Sequence, residues 1–334
     1  MIKTIQLSHG SGRGLDDLLH EIILPETGMA ADAVLEDAAV FPLQKGCIAF
    51  TTDSFVVQPL EFPGGDIGKL AVCGTVNDLA VMGAVPLALS VALILEEGLD
   101  AGLLRRMLRS MRDECGRTGI TICCGDTKVV DKGKADGMFI TTSGIGVVPA
   151  GRDISAANAR PGDRVLVSGP LGLHGIAILA ARKGLNFASL AVSDCACLHT
   201  LVEAMLAAAP HTHCLRDATR GGCAAVLNEL AAASGVTISI SQDAVPVPPE
   251  VTSACGFLGL DPLHIANEGR FVAVVPEKES GAALSALRSH ELGKGACMIG
   301  FVEKKGKFPA IMRTAIGGTR VVDVPPGELL PRIC

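Results

Sequence analysis

The chain of 334 residues has no tryptophan and no tyrosine, and ten phenylalanines are its only six-membered rings. Its core must therefore pack through aliphatic and small side chains, and the stacking platforms that hold single-stranded nucleic acid would lack most of their rings. Positive charge is in deficit as well. A formal net charge of −6 and a pI near 5.8 exclude a phosphate backbone as the main partner. Long apolar runs are missing: Leu79 to Leu95 carries no charge over 17 residues, short of the roughly 20 needed to span a bilayer, and Gly83 and Pro86 interrupt it. It predicts the end of a helix, a turn and a buried strand. The N-terminal MIKTIQLSHGSG has no signal-like apolar segment, so the expected compartment is the cytoplasm, where the 12 cysteines stay reduced.

Two kinds of motif are also absent. No C-x2-C pair occurs: Cys123 and Cys124 are adjacent, and Cys195-x-Cys197 is one residue too tight. A structural zinc or thioredoxin-like site is not expected, and Cys47, Cys73, Cys123, Cys223 and Cys297 lie in apolar runs as small buried hydrophobes. No Walker-type loop occurs either, because Gly68-Lys69-Leu70 fails at its last position. The N-terminal HGSGRG spaces its glycines as G-x-G-x-G, which misses the dinucleotide fingerprint. Gly12 in that loop either closes over phosphate or belongs to a ligand-free flexible segment.

What is present points to an α/β (α+β) protein of two domains, as expected for this length. CIAFTTDSFVV predicts a strand with an acidic turn. GGDIGKLAVCGTVNDLAVMGA predicts a helix opening near Asp66, and LALSVALIL a strand. DAGLLRRMLRSMRDECGRTG predicts an amphipathic helix between an Asp100 N-cap and Gly119. ITICCGDTKVV and GMFITTSGIGVV predict strands joined by a charged loop. The turn-rich GRDISAANARPGD marks a boundary near residues 152–162, giving domains 1–155 and 156–323. The second begins as strand and two helices, continues through HCLRDATRGG as a Gly-bearing turn, and alternates helix and strand to residue 304. The last segment, 324–334, is rich in proline, predicted to be a mobile extended arm, and ends on Cys334.

Acidic residues recur at expected strand ends or in the neighbouring helix: Asp53 in Thr-Thr-Asp-Ser, Asp78 in Val-Asn-Asp-Leu, and Asp126 in Cys-Gly-Asp-Thr-Lys. Carboxylates grouped at one sheet edge suit Mg2+, a hard cation that bridges protein oxygen to nucleotide phosphate. A fourth, Asp217 in Arg-Asp-Ala-Thr-Arg-Gly-Gly, opens a helix beside Arg220, where backbone N–H groups and guanidinium suit phosphate. Singly, each Asp serves equally well as a cap or turn residue.

The combination of GTVNDLAVMGAVP, CGDTKVV, SGPLGLHG, RDATRGG, ANEGR and the terminal PRIC resembles the HypE family of hydrogenase maturation proteins over essentially the whole chain. That family belongs with aminoimidazole ribonucleotide synthetase, selenophosphate synthetase and thiamine-monophosphate kinase. The resemblance implies an N-terminal domain whose sheet pairs with a second subunit in a homodimer, a C-terminal α/β domain, and ATP bound between them. It implies a carbamoyl group placed on Cys334 by the carbamoyltransferase HypF, ATP-dependent dehydration of that thiocarboxamide to a thiocyanate, and delivery of cyanide to iron on a HypC–HypD complex. In that chemistry Cys334 is the substrate arm and Glu268 the candidate general base. Lys128 stabilises the phosphoryl group or shares proton transfer, and His174 is a further acid–base candidate. Asp53, Asp78, Asp126 and Asp217 are the expected metal set. Asn77, Thr127, Lys128, Asp66, Asp217, Arg220 and Gly12 are the expected ATP and phosphate contacts. Two other readings stay open: a small-molecule kinase or synthetase of the same superfamily, and a non-enzymatic thiol scaffold.

Overall fold

The computed structural model describes residues 12–18, 20–21, 36, 38–42, 46–183, 191–324, 327 and 330–334. Most of the HGSGRG loop other than Gly12–Gly14, and parts of the Pro-rich segment, lie outside these residues.

Along the first half run helix α1 (Gly12–Leu18), strands β1 (Ala39–Pro42) and β2 (Cys47–Phe55), the short pair β3 (Glu61–Phe62) and β4 (Gly65–Asp66), and helix α2 (Ile67–Val81). Strand β5 (Val85–Glu96), helix α3 (Ala101–Thr118), strand β6 (Thr121–Val130) and strand β7 (Met138–Val148) follow. The main sheet has the order β1-β2-β7-β5-β6, antiparallel except where β6 lies parallel to β5. Alternation along β2 and β7 turns Ala49, Thr51, Asp53, Phe55, Ile140 and Thr142 toward the helices. The opposite face presents Phe50, Ile94, Ile145 and Val147 to solvent.

Helix α2 is buried on almost every side, as expected for a helix apolar all round. Asp66 caps it, accepting from Lys69 N at 3.0 Å. Gly68 lets it cross α3 closely, since a Cβ there would collide with the Met107 carbonyl. Helix α3 starts on Asp100, which accepts from Leu103 N at 2.7 Å, and ends on left-handed Gly119.

The second half contains β8 (Arg164–Val167), α4 (Leu173–Lys183), α5 (His199–Ala208), β9 (Cys214–Asp217), α6 (Gly222–Ser234), β10 (Val236–Ser241) and α7 (Pro249–Leu258). It continues with β11 (Phe271–Val275), α8 (Glu277–Ser289), β12 (Cys297–Lys304), β13 (Ala310–Arg313) and β14 (Thr319–Val321). These build a seven-stranded sheet in the order β14-β13-β10-β12-β8-β11-β9. Residues 214–217, read from the sequence as a turn, are an edge strand paired with β11, so Asp217 stands at a strand end. Helix α2 also packs on α5 and β9, which makes it the spine of the seam between the halves. Among the described residues no helix is long and apolar enough to cross a membrane.

Candidate active site

The carboxylates gather where α2 meets the second half. Asp53 lies within β2 rather than at its end, on the helix-facing side; Thr75 Oγ1 donates to its Oδ2 at 3.2 Å. Thr51 Oγ1 donates to Asp78 Oδ2 at 2.8 Å. Burial raises the Asp53 pKa, against the opposing effects of a hydrogen bond to Asp78, the Thr75 hydroxyl and the Arg220 charge. Two carboxyl groups in mutual hydrogen-bond contact share a proton, which a divalent cation replaces. Asp53 and Asp78 offer the hard oxygen donors that Mg2+ takes, and Asp217 stands at the end of β9, its charge reaching Glu268 as that of Asp53 does.

Glu268 is strongly perturbed. Burial, then the charges of Asp217, Asp194 and Asp53, push its pKa well above the ordinary 4.5, with Arg220 opposing. Its Oε1 is buried with no hydrogen-bond partner among the described residues. The main chain at this point is held tightly: Glu268 N donates to Asp194 Oδ1 at 3.0 Å, and Glu268 O accepts from Ala196 N and from Asn77 Nδ2, each at 3.3 Å. Asn267 fixes the preceding turn, accepting from Gly172 N at 2.7 Å and donating to Ala218 O at 2.9 Å. A side chain at Gly269 would overlap the Asp194 carbonyl, so the Asn-Glu-Gly order is imposed by close backbone approach. A buried carboxyl group with a raised pKa, held this firmly, makes Glu268 a candidate for acid–base work.

Instead of hanging free, the chain terminus docks at this seam. Val56 N donates to Cys334 O at 3.0 Å and Gln58 N to Arg332 O at 3.2 Å, so residues 332–334 run beside the extension of β2. His174 Nε2 donates to Ile333 O at 2.7 Å while its Nδ1 accepts from the Ser193 hydroxyl at 2.8 Å. Burial lowers the His174 pKa, so the ring is neutral with both nitrogens engaged. In this docked arrangement His174 is a latch on the tail, not an idle acid–base group. Arg182 donates to the carbonyls of Gln58, Pro331 and Arg332, and Arg332 pairs with Asp136. Ile333 is buried, and Cys334 packs into the cluster that holds Phe55 and Ala266, two residues from Asp53 and Glu268 respectively.

Not all of the expected residues assemble. Asp126 and Lys128 pair with each other at 2.8 Å on exposed edge strand β6, and the Lys128 and Thr127 hydrogen bonds to the Asp126 carboxylate lower its pKa. Asp126 is registered with Ala92, on the face turned away from the helices, and β6 lies three strands from β2. At about 4.8 Å per strand the separation is on the order of 14 Å, so within one chain these residues do not join Asp53. Asn77 is buried, its amide committed to Ala196 O, Glu268 O and Leu198 N. Asp66 is engaged as a helix cap. Gly12 falls in the short helix α1.

Residues 35–148 match the family described as AIR synthase related protein, N-terminal domain, and residues 160–312 its C-terminal domain. The carbamoyl dehydratase HypE of Rhodobacter capsulatus is 51% identical over 335 residues, covering 99% of this chain and 98% of that protein. The chain belongs to the HypE family. A HypE in a crystallised HypE–HypF complex superposes with a TM-score of 0.86 at 46% identity, over 92% of this chain and 99% of that one. A HypE in complex with ATP superposes with a TM-score of 0.83 at 44% identity, over 99% and 100%.

Set in the HypE fold, three contributors escape sequence reasoning. Asp194 and Ser193 sit in a segment whose only visible signal is its cysteines, and Arg182 lies in an ordinary-looking helix end. Their roles arise from contacts with residues 74, 19 and 150 positions away.

Proposed function

We propose that this protein is an ATP-dependent carbamoyl dehydratase that converts S-carbamoyl Cys334 to S-cyano Cys334 in nickel–iron hydrogenase maturation. The docked terminus carries the reading: Cys334 is held at the seam that contains Glu268 and the aspartates. The relatives named carbamoyl dehydratase, and those crystallised with HypF and with ATP, support it.

The thiocarboxamide oxygen is a poor leaving group until it carries phosphate. Its oxygen takes the γ-phosphoryl group of ATP as one N–H proton is lost, giving ADP and a phosphorylated thioimidate. Glu268, ionised once a cationic ligand set offsets its acidic neighbours, accepts the proton. Loss of the second N–H proton expels phosphate and leaves the C≡N group on sulfur. Asp53, Asp78 and Asp217 would hold Mg2+, which supplies charge neutralisation on the phosphates. Arg220, exposed beside Asp217 and close enough to act on Asp53 and Glu268, contributes positive charge to the same place. His174 and Arg182 position the arm, which matters because productive geometry accounts for much of such a barrier.

Asp126, Thr127 and Lys128 enter through a second copy. The outward sheet face bears Phe50, Ile94, Ile145 and Val147 with substantial exposure, a surface suited to pairing with itself. In a homodimer joined there, strand β6 of one protomer delivers Lys128 to the phosphoryl group bound by the other. The same reading divides the chain at 155/156 and 323/324, places it in the cytoplasm, and sends the cyanide on to a HypC–HypD complex.

Intact-mass measurement tests the function. After incubation with a carbamoyl donor, HypF and ATP, one carbamoyl group is expected on Cys334, followed by loss of one water. Product formation by a chain lacking Cys334, or stable carbamoylation with no later loss of water, overturns the assignment.

A further inference from the structure

Cys73 meets the distant pair Cys195 and Cys197 in the core beside the catalytic seam. Cys73 of α2 and Cys197, just ahead of α5, bring their sulfurs to 3.4 Å. Glu114 of α3 completes a buried triangle in which one ligand atom from each residue lies within 4.8 Å of the others. The Cys195 thiol, also buried, is in hydrogen-bond contact with Cys73. Two sulfurs and one carboxylate thus form the triangle, from two helices of the first half and one segment of the second, with the Cys195 thiol against Cys73 outside it.

The spacing suits a tetrahedral ion better than a disulfide. Zinc–sulfur bonds of about 2.3 Å at tetrahedral angles set sulfurs about 3.8 Å apart, so the observed approach needs to open by only a few tenths of an ångström. A disulfide would need closure to about 2.0 Å, more than an ångström of movement. The polar surroundings also call for a cation. Glu114 has one ion-pair partner among the described residues, Arg117 at 2.9 Å, whose side chain is largely in solvent. The Nδ1 of His199, a residue that the Glu114 charge reaches, is buried without a hydrogen-bond partner among the described residues. Burial raises the Cys73 pKa; the Cys73 contact and burial raise that of Cys195. At Cys197 a hydrogen bond to Cys73 lowers the pKa, but burial together with Glu114 and the Cys195 charge raises it on balance, so without an ion all three remain thiols.

We propose that Cys73, Cys197 and Glu114 form a binding site for one zinc-class divalent cation that fastens the two halves of the molecule together, with the fourth tetrahedral position left to water. Binding releases two thiol protons to solvent, so affinity rises with pH. Cys73 precedes Asn77 by one helical turn, and Asn77 grips Ala196, Leu198 and the Glu268 carbonyl. The ion would lock the same segment that Asn77 clamps, and with it the placement of Glu268.

Co2+ serves as the probe. Full-length protein, stripped with chelator under reducing conditions, is titrated as wild type and in a Cys123→Ser/Cys124→Ser/Cys334→Ala background that removes the two exposed thiols and the thiol of the tail. One Co2+ per chain is expected in both, with thiolate-to-cobalt charge transfer in the near ultraviolet, tetrahedral bands in the visible, and displacement by one equivalent of Zn2+. Cys73→Ser and Cys197→Ser should each weaken binding by more than the roughly 10–100-fold that loss of an outer partner of a ligand costs. Glu114→Gln keeps the side-chain shape and should weaken it by on the order of 10-fold. Should the cysteine variants not fold, the wild-type spectrum and Glu114→Gln decide. Absence of the charge-transfer band, binding indifferent to these substitutions, or a resting Cys73–Cys197 disulfide found by non-reducing peptide mapping overturns the proposal.

Discussion

A carboxyl group surrounded by other carboxylates is hard to ionise, and Glu268 is the residue where that cost is concentrated. Its folded pKa lies above the unfolded 4.5, so the native state binds more protons between those two values. Stability therefore falls as pH rises through that window, and the penalty is absent below about 4.5. Glu268→Gln keeps the shape and removes the ionisation. Its thermal midpoint should exceed that of wild type by a margin that grows from pH 5 to pH 8 and vanishes near pH 4. Dehydration should fall by about 10²–10⁴-fold while HypF still loads the carbamoyl group. A variant that dehydrates at the wild-type rate would remove Glu268 from the chemistry. Ala-Asn-Glu-Gly-Arg singled this residue out through the family resemblance and the need for a base; its burial among three aspartates came only with the fold. The thiol cluster was not legible, because Cys73, Glu114 and Cys197 share no local spacing; they meet only when α2, α3 and the segment before α5 are packed.

Among the elements, helices with local signals were the most legible. Helix α3 begins on Asp100 and ends on Gly119, where side-chain capping and a left-handed glycine announce both ends. The tail was the least legible. A proline-rich terminus predicts an unheld arm, yet its carbonyls are received by Arg182, 149 and 150 residues upstream, and by His174. Nothing near PRIC announces those donors. Hydrogen bonds from a charged donor contribute about 1.5–3 kcal/mol each, so deleting the Arg182 guanidinium should raise the undocked population by at least 10–100-fold, to order of magnitude. Arg182→Ala is therefore expected to speed alkylation of Cys334 by a maleimide, read by mass spectrometry, and to slow dehydration of the carbamoylated chain. Unchanged alkylation would show that the docked terminus is not the resting state in solution.

On the scale of the whole molecule, the decisive question is whether one chain contains a complete site. Asp53 and Glu268 lie at the seam, whereas Lys128 stands on the exposed edge of the sheet's far side, and only a partner can bring a β6 strand to that seam. Glu268→Gln and Lys128→Ala are each expected to be inactive as homodimers. Mixing them by co-refolding or co-expression distinguishes the arrangements. If Lys128 acts across the interface, a mixed dimer has one site with both residues replaced and one with both intact. Random pairing makes half of the dimers mixed, so the mixture should recover about a quarter of the wild-type dehydration rate. If Lys128 serves its own chain, every site in a mixed dimer carries one defect and no activity returns. Phe50→Glu supplies the control: a charge placed on the outward sheet face should dissociate the dimer in sedimentation velocity and abolish the recovery, while Asp53, Asp78 and Glu268 keep their places within each protomer.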